Sequence, residues 1–403
     1  MLKSLFERLS SGHSARHQSR LESSLPDLLR EQRQELHDRL AAARPKILVV
    51  KQDVNEDLYC CPPQAGRAEL IASTLLRTGP VALFTELGAD FRILKTVDDP
   101  ECQIWQERAT VLKWDSLEFF SSYRDRIPGR DYGQGRWAVD PADIDFTQYD
   151  IVISIDVSVP SRVTRSFPEV LWCYYVREIK APSYAASNDA AVAGQDVVLN
   201  HHFRFEKPVL PAHVLEFPYH LHRPGCFHEL FEQPDLSVPQ RQGIFVDHHT
   251  MVDVSSERRE ALNQFGPVAS TLHRGDREII PTSERLARRT MDEDLRQRLL
   301  NSRYFLITPG RRRVFGTAVV EAIAAGCLVI GSPESLGRHA FLFTSRTTTA
   351  NADHAVSTIA GLEADPELAD RERERQRQLV EYLCFVRPVH DLLDAWQKKR
   401  SLA

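Results

Sequence analysis

The tightest constraint on the fold lies between Tyr304 and Glu334. Tyr304-Phe-Leu-Ile307 and Leu328-Val-Ile330 are short apolar runs of the kind buried in a parallel sheet. Ala318 to Ala325 between them has helical character and ends in Ala324, Ala325 and Gly326. Those small residues let a helix and a strand pack closely, and Gly326 suits a helix end. The segment therefore reads as strand, loop, helix, strand, the unit from which doubly wound α/β sheets are built.

The same texture opens the chain after Pro45. Lys46-Ile-Leu-Val-Val50 reads as a buried strand, Arg67 to Arg77 as a helix, and Val81-Ala-Leu-Phe84 as the next strand. Ile151-Val-Ile-Ser-Ile155, Val170 to Val176 and Val197-Val-Leu199 continue the strands of a first half. Arg124 to Asp145, with three glycines and two prolines, reads as a long loop or lid. Prolines and histidines cluster from Pro208 to Pro239, which marks an interdomain connection. A second alternating half follows: strands at Gly243–Val246 and Val268–Leu272, helices at Glu257–Phe265 and Ser283–Leu300. The last stretch, Pro366 to Lys399, reads as helix interrupted at Pro388.

A chain of 403 residues exceeds what one hydrophobic core organises, which agrees with two domains. The expectation is α/β: two Rossmann-like doubly wound domains with an N-terminal helical extension. The boundaries are 1–44 for the extension, 45–222 and 223–375 for the domains, and 376–403 for a helix returning to the N-terminal domain. In the extension, Ser24 and Pro26 read as a helix start, with Leu29, Leu36 and Leu40 on one face. That face fits packing, homo-oligomerisation or peripheral contact with a membrane surface.

Composition excludes other classes. A net charge of −5 gives no electrostatic case for nucleic-acid binding. Seven scattered cysteines, with no C-x-x-C pair, argue against a disulfide framework or a zinc site. No run reaches the about 18 apolar residues of a membrane span, and the N-terminus lacks an apolar signal core. The expected location is cytoplasmic, at most peripheral at the inner face of a membrane.

The chemistry concentrates where the 304–334 helix begins. Gly316 and Thr317 stand at its start, where free N–H groups and the helix dipole suit a diphosphate. Arg311, Arg312 and Arg313 precede it and suit neutralising phosphates or a departing nucleoside diphosphate. Glu321, one turn into the helix, suits the two hydroxyls of a ribose.

This segment resembles the C-terminal donor-binding motif of glycosyltransferases of the GT-B fold, specifically the group-1 family (family 4). The residues that carry the resemblance are Phe315-Gly316, Glu321, Ala322, Ala325-Gly326, Val329 and Ser332. Pro309-Gly310-Arg311 resembles the turn of exostosin-like transferases instead. The group-1 pattern carries another acid, separated by seven residues from the one matched by Glu321, and Arg313 occupies that place. The resemblance implies a nucleotide-sugar donor, with Glu321 on the ribose and position 313 near the catalytic centre. It implies an acceptor that is a glycan, a lipid-linked molecule or another hydroxyl compound, and it requires neither metal nor cofactor. Two looser matches concern the first loop, Pro62-Pro-Gln-Ala-Gly66, which would face the acceptor through Gly66, and Val214–Tyr219, which resembles the crossover between halves. A sugar-nucleotide epimerase and a non-catalytic binding protein are the alternatives.

Other candidates are weighed on their chemistry. Asp156 follows a strand and suits a general base or a loop cap. His201 and His202 suit loop packing, diphosphate binding or acceptor activation. His220, His222, His228, His248 and His249 lack the acidic or cysteine partners of a zinc site and read as hinge residues. Asp143-Ile-Asp145 precedes its strand, unlike the D-x-D element of metal-dependent transferases.

Overall fold

The structure, a computed structural model, describes residues 15–51, 58–64, 67–72, 87–94, 138–139, 144–155, 159, 161–176, 194–200, 213–217, 241–246, 256–270, 298–307 and 317–402. The chain divides into two units. One comprises Met1–Glu35, Phe203–Pro208 and Arg223–Val386; the other comprises Leu36–His202, Val209–His222 and Arg387–Ala403.

Helix α1 runs from Ala15 to Ala42 with Pro26 inside it. Pro26 therefore does not open the helix, as the sequence reading expected. Leu25, Leu29 and Leu36 are buried, a stripe at helical spacing covered by the chain itself.

The unit that contains β1 (Ile47–Lys51) holds a parallel sheet. Its further strands are β4 (Asp90–Leu94), β5 (Ala138–Val139), β6 (Ile151–Ile155), β7 (Leu171–Val176), β8 (Val197–Asn200) and β9 (Val214–Glu216). The hairpin strands β2 (Leu58–Gln64) and β3 (Arg67–Ala72) fall between β1 and β4 and form their own pair. Among the described residues the sheet order is β5-β4-β1-β6-β7-β8-β9, all parallel. Strand order reverses between β1 and β6, the switch point of a doubly wound sheet. Ile47 to Val50 and Ile151 to Ser154 are at most 3% exposed, as central strands covered on both faces require. One face packs Leu48, Val50, Val152 and Trp172 against Phe146, Val159 and Val170. Helix α2 (Ser161–Ser166) lies between β6 and β7.

Two sequence readings are corrected in this unit, and one strand is added that the sequence did not reveal. Arg67–Ala72 is strand β3, antiparallel to β2 with Cys60 opposite Leu70 and Tyr59 opposite Ile71, and not the start of a helix. Six residues fit either period, and the neighbouring Tyr59-Cys-Cys61 backbone decides by offering a ladder. Asp90–Leu94 is a strand that the polar residues Asp90 and Arg92 concealed. Ala138–Val139, inside the expected loop, adds a short edge strand to it. Val214–Glu216, within the stretch that resembles the crossover between halves, is a strand of this sheet, paired with Val198–Asn200. Val81–Phe84 and most of 124–145 lie outside the described residues. Asp145 caps a short 3-10 turn, accepting from the Thr147 amide at 3.1 Å and the Gln148 side chain at 3.0 Å. Those bonds hold its carboxyl below the usual carboxylate range and give it a structural role.

The other unit carries β10 (Ile244–Val246), α3 (Ser256–Leu262), β11 (Val268–Ser270), β12 (Tyr304–Ile307), α4 (Thr317–Ala324) and β13 (Leu328–Gly331). Two long helices follow, α5 (Ala352–Ala364) and α6 (Pro366–Glu381). Among the described residues its sheet is parallel in the order β11-β10-β12-β13, reversing between β10 and β12. One face buries Ile244, Val246, Tyr304, Leu306, Leu328 and Ile330 against Ala355, Ile359 and Leu362 of α5. Of the expected helix Ser283–Leu300, residues 298–300 are described and are helical.

Edge strand β13 is closed by a side chain. Gln376 of α6, fully buried, accepts from the Val329 amide at 2.9 Å and donates to the Val329 carbonyl at 2.7 Å. The amide thus mimics a neighbouring strand at the point where an edge is exposed to mispairing. After α6 the helix widens into a buried π turn, Tyr382–Val386, and resumes as α7 (Arg387–Leu402) with Pro388 as its second residue. The expected interruption at Pro388 is this turn. Proline cannot donate to a carbonyl four residues earlier, and its ring crowds that carbonyl, so the wider turn accommodates it.

Two outcomes follow from this packing. Gln376→Ala leaves two buried backbone groups of Val329 unmatched and is expected to lower unfolding free energy by about 2–4 kcal/mol in urea titrations. Burial pushes the Cys327 thiol up to about 12, above the about 8.5 of an unfolded thiol. A raised folded value gives stability that is complete below pH 8.5 and is lost as pH rises towards 12. Between pH 8 and 10.5, Cys327→Ala is therefore expected to lose about 2–3 kcal/mol less stability than the parent, measured by urea unfolding at both pH values.

Candidate functional site

Strand β12 leads into the segment that the sequence marked out. At its amino end, the Tyr304 hydroxyl donates to Glu363 at 2.7 Å and Arg303 pairs with the same carboxylate at 2.7 Å. Burial first, then the Glu363 contact, pushes the Tyr304 phenol well above its ordinary value, so it remains a donor. This anchor lies at the end of the strand remote from the expected chemistry. At the carboxyl end, Ile307 borders the β10/β12 switch point, where open α/β sheets bind ligands.

Helix α4 begins at Thr317 and returns the chain to β13. Val319, Val320, Ala322, Ile323, Ala324 and Ala325 are all at most 4% exposed. Glu321 is 3% exposed and is the one charged residue in the helix. A carboxylate at such a position is costly unless it is hydrogen-bonded, so apolar packing alone does not account for it. Gly326 ends the helix with φ of 86°, a conformation that favours glycine. Its amide donates to Ile323 at 3.0 Å and the Cys327 amide to Ala322 at 2.8 Å, a paired end closure. The Arg241 guanidinium donates to the Ala325 carbonyl and places positive charge at the negative end of the helix. Burial lowers the Arg241 pKa from its ordinary value.

The carboxyl end of β13 is equally determined. A Cβ on Gly331 would lie 2.4 Å from the Ile307 carbonyl oxygen, so only glycine lets the two strands meet there. Gly331 donates to Thr347 at 3.0 Å and accepts from Thr349 at 2.9 Å, which continues the ladder past the strand. Thr344 ties this threonine turn to α6 through Glu372 at 2.9 Å. Ser332, Ser335 and His339 are buried just beyond the strand end.

Of the residues expected from the sequence, the structure places Thr317 at the start of α4 and Glu321 within it. Arg311, Arg312, Arg313 and Gly316 lie outside the described residues, as do Asp156, directly after β6, and Gly66, between β2 and β3. His201, His202, His220, His222, His228, His248 and His249 are outside as well. Among the described residues no group of three or more His, Cys, Asp or Glu is arranged to hold a metal ion. No described helix is long and apolar enough to cross a membrane.

Sequence reasoning missed Arg241 and Gln376, which set the end of α4 and the edge of β13. Gln376 left a signal. It lies on the apolar stripe of α6 with Ala369, Glu372, Leu379 and Val380, where a polar residue needs a buried partner. Arg241 left none, because its partner is a backbone carbonyl 84 residues away. Gly331→Ala is expected to cost about 1–3 kcal/mol in urea unfolding, through the clash with Ile307.

No protein-family model matches the chain, and no curated protein matches it significantly. Solved structures do resemble it. Sucrose-phosphate synthase from Thermosynechococcus elongatus is 13% identical at a TM-score of 0.40, covering 89% of this chain and 99% of that one. UDP-GlcNAc 2-epimerase from Neisseria meningitidis, bound to UDP-GlcNAc, is 8% identical at 0.43, covering 87% and 100%. T4 phage BGT in complex with its UDP-glucose substrate is 11% identical at 0.38, covering 88% and 99%. Likenesses of this size decide nothing about the chemistry of this chain, which rests on its own residues.

Proposed function

We propose that the chain is a nucleotide-sugar-dependent glycosyltransferase whose donor nucleotide is held by the 304–334 segment. The observation that carries the proposal is Glu321, a buried carboxylate on an otherwise uncharged helix that starts after the carboxyl end of β12, next to the sheet's switch point. In this reading Glu321 accepts from the ribose hydroxyls, and the amides at Gly316 and Thr317 meet the diphosphate. Arg311, Arg312 and Arg313 neutralise the phosphates and stabilise the leaving nucleoside diphosphate, so no metal is needed. Residues 223–375 recognise the donor and residues 45–222 the acceptor, with Gly66 in the acceptor loop and Asp156 as general base. The acceptor is a glycan, a lipid-linked molecule or another hydroxyl compound.

Arg313 favours a second reading. An arginine where the group-1 pattern has an acid fits a protein that binds the donor without transferring its sugar, or an epimerase that needs no acceptor.

Calorimetry with nucleoside diphosphates tests the donor site. The parent is expected to bind at least one of them, and Glu321→Ala to bind it about 10–100-fold more weakly, the effect of one or two lost charge-assisted hydrogen bonds. Glu321→Gln, which preserves volume, guards against misfolding. No binding by the parent sinks the reading; undiminished binding by both variants removes only the ribose role. Product analysis then separates the activities, since release of nucleoside diphosphate with a new glycoside marks a transferase and isomerised donor marks an epimerase.

A further inference from the structure

Helix α4 is gripped at its carboxyl end, remote from the side of the sheet where a ligand belongs. The grip comes from Arg241, which stands just before β10. The backbone that follows Arg241 is pinned: Gln242 donates to Asn301 at 3.1 Å, Gly243 donates to Phe265 at 3.1 Å, and Arg303 donates to Gly243 at 3.1 Å. From this fixed base the guanidinium donates through Nη2 to the Ala325 carbonyl. Its Nη1 is enclosed without an acceptor, so among the described residues Ala325 is the one acceptor that the side chain reaches. The Cys327 thiol ties the end of the helix to the same frame, donating to Leu299 at 3.2 Å and to Ser302 at 3.4 Å.

The bonding continues into the helix. Ala325 takes Arg241 at its carbonyl and gives its own amide to the Glu321 carbonyl at 2.7 Å. Arg241 is therefore two hydrogen bonds from the backbone of the buried carboxylate, and Ala325 is the single residue between them. Val320 and Ala322, on either side of Glu321, are 0% exposed, so the backbone that carries the carboxylate shifts only with the helix. A helix rises by about 1.5 Å per residue and is stiff along its axis, so slack at Ala325 is passed on to Glu321. The charge of Arg241 acts in the same direction, since a cation at a helix carboxyl end is attracted to the last carbonyls.

We propose that Arg241 is a positioning residue for Glu321: without touching the ligand, it fixes α4 along its axis and so sets where the carboxylate meets the donor nucleotide. The assignment rests on the reading of α4 as the donor helix. It extends that reading from the residues that would contact the nucleotide to one at the opposite end of the helix.

A double-mutant cycle on the full chain tests this, with UDP, GDP, ADP, CDP and dTDP as probes in calorimetry. For whichever probe the parent binds, Arg241→Met, which keeps the stem but neither charge nor donor, is expected to weaken binding about tenfold. Arg241→Lys, which keeps the charge and one donor, is expected to regain most of that loss. In the Glu321→Ala background, Arg241→Met is expected to change affinity by less than about twofold, because the residue it acts through is gone. Hydrogen exchange, read by mass spectrometry, is expected to be faster at residues 325–327 of Arg241→Met and unchanged at 355–362. Undiminished binding by Arg241→Met, or an equal loss with and without Glu321, overturns the positioning role and leaves the donor site standing. A parent that binds none of the probes defeats the donor reading, and this assignment with it. Should Arg241→Met fail to fold, Arg241→Gln takes its place with the same expected outcomes.

Discussion

A single carboxamide closes the sheet on which the candidate site is built. Gln376 takes both backbone groups of Val329 and so stands in for a neighbouring strand at β13, an edge of the sheet among the described residues. Helix α6 must therefore pass directly beside β13, and the contacts around it are conditioned by that passage. Ala369, earlier in α6, packs on the face covered by α5, while Glu372 anchors the threonine turn that extends β13. The carboxyl ends of β12 and β13, where a ligand of this fold class belongs, are set by a helix some forty residues further along the chain.

The site combines a rigid frame with one costly feature. Gly331 against Ile307, the Gly326 end closure and Arg241 on Ala325 leave α4 little freedom. Glu321 lies inside this frame, and a frame of that stiffness holds a carboxylate where an apolar residue would be cheaper. The function proposed above gives that charge a ligand to hold.

Legibility followed the range of the interactions involved. Strands β1, β6, β7, β12 and β13 were readable because each is a continuous apolar run, and a central parallel strand has no other way to be covered. Strand β4 was not, since Asp90 and Arg92 break its apolar run. Strand β3 was taken for helix, because Leu70 and Ile71 suit either period and the ladder with β2 decides between them. The helix that carries Thr317 and Glu321 was legible from its local pattern. Gln376 showed only as a polar residue on a buried stripe, and Arg241 not at all, because their partners are backbone groups 47 and 84 residues away.

The sequence by itself determined the α/β class, the burial of the strands around Tyr304–Gly331, and the helix that carries Glu321. Those properties depend on short-range pattern: apolar runs, small residues at a helix end, a glycine to turn on. Only the tertiary structure decided the strand order with its two switch points, the closing of β13 by Gln376, and the π turn between α6 and α7. These depend on groups brought together across the chain, whose pairing energy has no signature in any window of neighbouring residues.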